Sequence, residues 1–106
     1  MKTVIFPRAE ADIVRQFRYY LVDLDVPEVA IRFRLAVRET MQDLQLNPRM
    51  GKPLESKIAG LRSWPVKGFE VIRFYYRVTS DSLQFLRLLH GKQNVRRILS
   101  RESDTH

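Results

Sequence analysis

The sequence predicts a single α+β domain with one strand, a helical hairpin, a three-stranded antiparallel meander and a short C-terminal helix. Two patterns lead to this prediction. Apolar residues recur at helical spacing between residues 13 and 44, and side chains alternate at strand spacing between residues 61 and 90. The 106 residues leave no room for a second hydrophobic core, so residues 1–106 are expected to form one domain with the helices on one sheet face.

The N-terminal half is predicted to be a strand followed by two helices. Lys2–Phe6 is rich in β-branched residues, and Pro7 suits the first turn of a helix, where its missing N–H is not needed. The apolar stripe of the first helix consists of Ile13, Phe17, Tyr20 and Leu24. After a connection at Asp23–Pro27, the second helix runs to Asn47-Pro48, with the stripe Ala30, Phe33, Val37, Met41 and Leu44.

The C-terminal half is predicted to be a meander, because only short turns separate its apolar runs. The predicted strands are Leu61–Val66, Phe69–Thr79 and Leu83–His90, joined by turns at Lys67-Gly68 and Ser80–Ser82. Pro48–Gly60 is predicted to be a loop. Val95, Ile98 and Leu99 indicate a short helix, and Ser100–His106 is predicted to be frayed.

Strand alternation assigns side chains to the two faces of the sheet. In the middle strand a core face carries Ile72, Phe74, Tyr76 and Val78, and the opposite face carries Val71, Arg73, Tyr75 and Arg77. In the next strand one face is predicted to hold Leu86, Leu88 and His90, and the other to hold Phe85, Arg87 and Leu89.

Positive charge is concentrated in the second half of the chain. Residues 60–101 hold nine of the 19 Lys and Arg residues but only two acids, Glu70 and Asp81, which gives this segment a net charge of +7. Residues 1–59 are nearly balanced, with ten bases and eight acids. A basic face on one ordered half is suited to an anionic partner, such as nucleic acid, an acidic protein or a membrane surface.

Several chemistries are excluded or disfavoured. The chain has no cysteine, which excludes disulfides, thiol catalysis and Cys-based zinc sites. No signal peptide and no apolar stretch of about 18 residues is present, so a cytoplasmic protein is expected. His90 is the only histidine within a predicted element, and a structural role is favoured for it over a catalytic one. No catalytic triad or phosphate-binding loop is recognisable.

The basic residues leave two interpretations open. Arg73, Arg77 and Arg87 either form a functional cationic group or are neutralised by Glu70, Asp81 or backbone carbonyls. A second group could be a phosphate-binding helix face or an ordinary solvated helix end; it consists of Lys92, Arg96, Arg97 and Arg101.

Three segments resemble the ParE branch of the RelE/ParE toxins of type II toxin–antitoxin systems. They are Gly60–Val66, with its leucine-arginine start, Phe74–Val78, with its tyrosine-arginine pair, and Leu86–Asn94, which contains histidine-glycine. The helix start at Ala9, Asp12 and Ile13 and the helix exit at Asn47-Pro48 and Gly51 are also similar. The resemblance covers nearly the whole chain and implies a RelE/ParE-like fold.

The resemblance implies a toxin neutralised by a cognate antitoxin, which is expected to be ParD-like, acidic and partly disordered. ParE-like members act in plasmid stabilisation and block DNA gyrase without chemistry of their own, so no catalytic residue, cofactor or metal is expected. DNA is expected to be contacted only through the antitoxin complex, and no membrane is involved. The residues expected to bind the target or antitoxin are Arg73, Tyr75, Arg77, Arg87, Lys92, Arg96 and Arg97, together with grooves of the helical hairpin.

A non-toxic module that binds nucleic acid through the same basic face is the lowest-ranked alternative. The main alternative is a RelE-like ribosome-dependent mRNA endoribonuclease. Its expected catalytic residues are Arg73, Tyr75, Arg77, Arg87 and His90. Two features favour gyrase inhibition over this alternative. His90 and Arg87 are predicted to lie on opposite faces of their strand, and no carboxylate is placed to act as a base unless Glu70 turns inward.

Overall fold

A computed structural model describes residues 1–102 and confirms the α+β fold class. The elements are β1 (Lys2–Ile5), α1 (Pro7–Arg18), a π-helical turn (Tyr19–Asp23), α2 (Pro27–Leu46), β2 (Lys52–Pro53), β3 (Leu61–Val66), β4 (Phe69–Val78), β5 (Ser82–His90) and α3 (Val95–Glu102). The predicted frayed end is wrong for residues 100–102, which form the last turn of α3, and residues 103–106 lie outside the described residues.

The sheet has five strands in the order β1-β5-β4-β3-β2. The predicted meander β3-β4-β5 is antiparallel, and β1 adds to it in parallel beside β5. The loop predicted over Pro48–Gly60 contains the two-residue strand β2, which pairs with Arg62 and Ser63. A strand this short that contains a proline gives no alternation signal, and it is tolerated here because it lies at the sheet edge.

The helical hairpin covers the first face of the sheet, as predicted. Buried residues of α2, including Phe33, Val37 and Leu44, pack against the apolar side chains of β4 and β5. Phe74 and Phe85 lie in this cluster with their ring centroids 4.9 Å apart. This is the main hydrophobic core of the domain.

A β-bulge in β5 changes the predicted facing of that strand. Tyr75 pairs with Arg87, whereas the next residue, Tyr76, pairs with Phe85, so Leu86 is an extra residue in β5. The bulge inverts the alternation on its two sides. Phe85 therefore joins the main core and Leu86 joins the opposite face, and the predicted placement of Phe85 with Arg87, and of Leu86 with Leu88, is wrong.

The second face of the sheet is also covered, whereas the sequence predicted helices on one face alone. A smaller apolar cluster joins Tyr75 and its neighbours on β5 to α3 and to the loop before β3. Its buried members are Ile58, Leu61, Tyr75, Leu86, Leu89 and Leu99. The apolar side of α3 therefore packs onto the sheet surface that was expected to be an open basic face.

Tyr76 fixes the chain segment that leaves α2. Its hydroxyl donates to the Pro48 carbonyl at 2.8 Å and accepts from the Gly51 N–H at 2.8 Å. A Cβ added at Gly51 would lie 2.7 Å from Cζ of Tyr76, too close for any L side chain without movement. The Asn47-Pro48-x-x-Gly51 motif thus allows the loop to approach the tyrosine closely.

Candidate functional site

Arg87 lies in a buried network of charges. Its Nε and Nη2 donate to the two carboxylate oxygens of Asp12 at 2.7 and 2.9 Å, and its Nη1 donates to Glu102 at 3.1 Å. The side chains of Arg87, Asp12 and Glu102 are only 13, 3 and 8 % exposed. These bonds raise the pKa of the Arg87 guanidinium above its ordinary value, chiefly through the hydrogen bond with Asp12.

Asp12 also completes the edge of β5. Its Oδ2 accepts the Leu88 N–H at 3.0 Å, beyond the end of the β1–β5 pairing, and Arg15 contacts its other oxygen at 3.2 Å. Glu102 accepts a further bond from Arg8 at 2.9 Å. The network therefore ties α1, β5 and α3 together, and Arg87 makes structural contacts in place of presenting a free guanidinium. From the sequence, Glu70 or Asp81 was suggested as the acidic partner of Arg87. The actual partners lie 75 and 15 residues away, and sequence pattern does not indicate contacts at those separations.

Arg73 and Arg77 are held differently. Nε of Arg73 donates to the Ser63 hydroxyl at 2.8 Å, and Nε of Arg77 donates to the Gln84 side-chain carbonyl at 2.8 Å. Neither arginine belongs to an ion pair within residues 1–102. Both side chains are half-buried and oriented by neutral acceptors, so their charge is not neutralised by an acid.

The candidate proton-transfer residues are poorly placed for that role. Burial raises the pKa of the Tyr75 hydroxyl, which makes its ionisation at neutral pH harder. The Lys92 N–H donates to Nδ1 of His90 at 3.0 Å, and the His90 N–H donates to Gln93 at 2.7 Å, so His90 helps to build the turn after β5. His90 pairs with Ile72, whereas Arg87 pairs with Tyr75, and the structure does not join the two side chains in one group.

The remaining predicted binding residues lie on or next to α3. Lys92, Arg96 and Arg97 are exposed, as is Arg101 on the next turn. The Arg97 N–H donates to the Asn94 side chain at 3.2 Å, which caps the start of the helix. None of these four cations forms an ion pair within the described residues.

A groove between α1 and α2 is a second candidate surface, and its volume is about 870 Å³. Apolar side chains on its walls are unusually exposed: Val14 by 49 %, Ile31 by 56 % and Leu35 by 59 %. Arg34 and Arg38 lie on the same wall as Leu35. Binding in the hairpin grooves was expected from the sequence, but the groove residues were not identified. Ile31 and Leu35 are apolar residues outside the core stripe of α2, and this pattern could have identified them.

Two kinds of feature are absent from residues 1–102. No helix there has the length and apolar character needed to cross a membrane. No cluster of three or more His, Cys, Asp or Glu side chains in this part of the chain is arranged to hold a metal ion.

The fold and these surfaces define a small α+β protein with an exposed apolar groove and a separate cationic surface. The family described as the ParE toxin of type II toxin–antitoxin system, parDE, matches residues 4–95, so the chain belongs to the ParE toxin family. A solved structure titled as the chromosomal ParDE TA system from P. aeruginosa has a TM-score of 0.70 and 24 % identity, covering 85 % of this chain and 95 % of that one. No match was found among curated proteins.

Proposed function

We propose that this protein is a toxin that inhibits DNA gyrase in the cytoplasm and is neutralised by an antitoxin bound in the groove between α1 and α2. Membership of the ParE family carries the proposal. The solved relative is titled as a ParDE system, in which toxin and antitoxin occur together. We therefore infer that this chain also has an antitoxin partner. The groove is the surface best suited to bind that partner.

The chemistry of the groove favours an amphipathic, acidic segment of the antitoxin. Ile31 and Leu35 are one helical turn apart and offer aliphatic surface that water now covers. A partner helix that buries them gains hydrophobic free energy, which offsets the cost of ordering a disordered segment. Arg34 and Arg38 beside them favour acidic residues in that helix, because opposite charges at an interface steer association and fix its register.

The ribonuclease alternative has less support from the geometry. Arg87 is engaged by two carboxylates, Tyr75 is harder to ionise than a free tyrosine, and His90 is bonded within its own turn. An acid–base mechanism needs proton-transfer groups that converge on one point. Gyrase inhibition needs no such constellation, since it depends on binding.

A supercoiling assay with the purified chain tests the proposed target. The chain should inhibit gyrase, and addition of the protein encoded beside its gene should restore supercoiling. A ribosome-containing extract is the parallel arm, in which mRNA should stay intact. Cleaved mRNA together with unaffected supercoiling would replace gyrase inhibition by the ribonuclease function.

The antitoxin site is tested by the substitution Leu35→Glu, with Val22→Glu as its control. Val22 is 62 % exposed, as an apolar residue of the π-helical turn outside the groove, so the two changes add the same charge at similar exposure. Leu35→Glu should weaken antitoxin binding by about 2 kcal/mol or more, the effect expected at a binding hot spot. Equal weakening by both variants, measured by calorimetry, would place the antitoxin elsewhere.

A further inference from the structure

The outer surface of α3 differs from the rest of the molecule in its charge. We call this surface the α3 basic face, defined by Lys92, Arg96, Arg97 and Arg101, all of which are exposed. Residues 82–101 contain no acid at all. Some exposed cations elsewhere are paired with an acid, such as Lys67, whose Nζ lies 2.7 Å from Glu39.

The one acid of α3 is withdrawn from this face. Glu102 is 6 % exposed and accepts bonds from Arg8 and Arg87 on the inner side of the helix. Leu99, which packs in the smaller apolar cluster, fixes the same orientation. The helix therefore turns its carboxylate and its apolar residues inward, and presents its arginines to solvent.

The α3 basic face also lacks apolar anchors. The large apolar residues that are strongly exposed within residues 1–102 include none from α3 or the turn before it. A disordered acidic segment that folds on binding needs apolar surface to offset its ordering cost. Nucleic acid has no such need, since neutralising its phosphates releases condensed counterions and supplies most of the binding free energy.

Arg73 and Arg77 are two further cations, on the strand whose Tyr75 packs beneath α3. They flank Tyr75, which packs in the same apolar cluster as Leu99 of α3. Because Ser63 and Gln84 engage only the Nε atoms, the terminal nitrogens of both guanidiniums remain for an anion with paired oxygens. A phosphate group has that geometry.

We propose that the α3 basic face binds the phosphodiester backbone of double-stranded nucleic acid directly. This goes beyond the proposed function, in which DNA is contacted only through the antitoxin complex, and it does not depend on the target being gyrase. Binding is independent of base sequence, because all of the contacts are made by cations to phosphates. Duplex DNA and duplex RNA share this chemistry, and the experiment separates them.

The test uses the purified full-length chain without antitoxin or gyrase. Fluorescence anisotropy measures its affinity for a labelled 20-base-pair DNA duplex, and for the matching RNA duplex, over a range of salt concentrations. The variant Arg96→Gln/Arg97→Gln/Arg101→Gln is compared with Arg32→Gln/Arg34→Gln/Arg38→Gln, which removes three exposed arginines from α2 instead. Both variants lower the net charge by three, and thermal melts verify that both are folded.

The α3 variant should lose about tenfold or more in affinity, and its slope of log K against log salt should be shallower by roughly three. The α2 variant should keep a slope close to that of the wild type.

Preference for one duplex supports the proposal and identifies the natural source of the phosphates. Equal losses of affinity in both variants would show that only the net charge matters, and this would overturn the proposal. Binding of labelled poly-glutamate without binding of either duplex would overturn it in favour of an acidic protein.

Discussion

The two faces of the sheet use neighbouring residues of β4 in opposite ways. Tyr76 points into the main core, where its hydroxyl makes two hydrogen bonds to the chain after α2. Tyr75 points into the smaller cluster, and its hydroxyl makes no hydrogen bond within residues 1–102. The hairpin face thus has a large core and an exposed apolar groove, whereas the α3 face has a small core and depends on charges for its remaining contacts.

This difference separates two kinds of surface in a chain of 106 residues. The groove wall offers apolar side chains and is suited to a protein partner, while the α3 basic face offers cations and is suited to an anion. The network of Asp12, Arg87 and Glu102 joins them, because it connects α1 of the hairpin with α3. Substitutions on either face should therefore have separable effects, except within that network.

The largest effect is expected from Asp12→Ala. It removes two bonds to the largely buried Arg87 side chain and leaves the Leu88 N–H without its acceptor, so the free energy of unfolding should fall by about 3–5 kcal/mol. Urea denaturation measures the change. Asp23→Ala, which removes an exposed acid, is the control and should cost no more than about 0.5 kcal/mol. A small loss for Asp12→Ala would mean that the two faces are not coupled through this network.

The paired substitutions Tyr76→Phe and Tyr75→Phe compare the two faces directly. Tyr76→Phe leaves the buried N–H of Gly51 without its acceptor and should destabilise the protein by about 1–3 kcal/mol. Tyr75→Phe removes a hydroxyl that has no protein partner within residues 1–102, so its effect should stay within about 0.5 kcal/mol. Equal costs in denaturant titrations would contradict the different hydrogen bonding of the two rings.

Alkaline pH should weaken the fold through both tyrosines. Burial raises the pKa of Tyr75 and of Tyr76 in the folded protein above the ordinary value of 10.0. Well below pH 10 both rings are neutral in the folded and unfolded states, and their contribution to stability is complete. As pH rises above 10 the unfolded chain loses these protons first, so the free energy of unfolding should fall. Tyr75→Phe should make the fall between pH 9 and 11 shallower than in wild type, as measured by urea titrations at each pH.

The smallest effect is expected at the rim of the groove. Arg34→Gln/Arg38→Gln should reduce antitoxin affinity by no more than about 1 kcal/mol per residue, because exposed ion pairs are screened by water and salt. The association rate should lose more of its salt dependence than the dissociation rate. Arg96→Gln/Arg97→Gln is the matched control for stopped-flow measurements and should leave the antitoxin rate unchanged. If the α3 variant slowed association and the α2 variant did not, the acidic segment of the antitoxin would be assigned to the α3 basic face.

Much of the fold was readable because its signals are local. The helical hairpin and the meander follow from apolar periodicity and from short turns, and the residues that resemble the ParE toxins lie in those elements. Strand β2 and the bulge at Leu86 were missed for a common reason. Both depend on the hydrogen-bonded pairing between adjacent strands. A strand of two residues is too short to show alternation, and a single inserted residue does not produce a recognisable periodic pattern.

The element order, the family likeness and the excess of cations in the second half of the chain were all readable without coordinates. Tertiary structure alone decided what each cation does. Arg87 was grouped with Arg73 and Arg77 because all three lie on adjacent strands, yet folding brings Asp12 and Glu102 to it and not to the others. Local pattern fixes which side chains share a strand, whereas neutralisation of a charge depends on residues distant in sequence that only the packed chain brings within hydrogen-bonding distance.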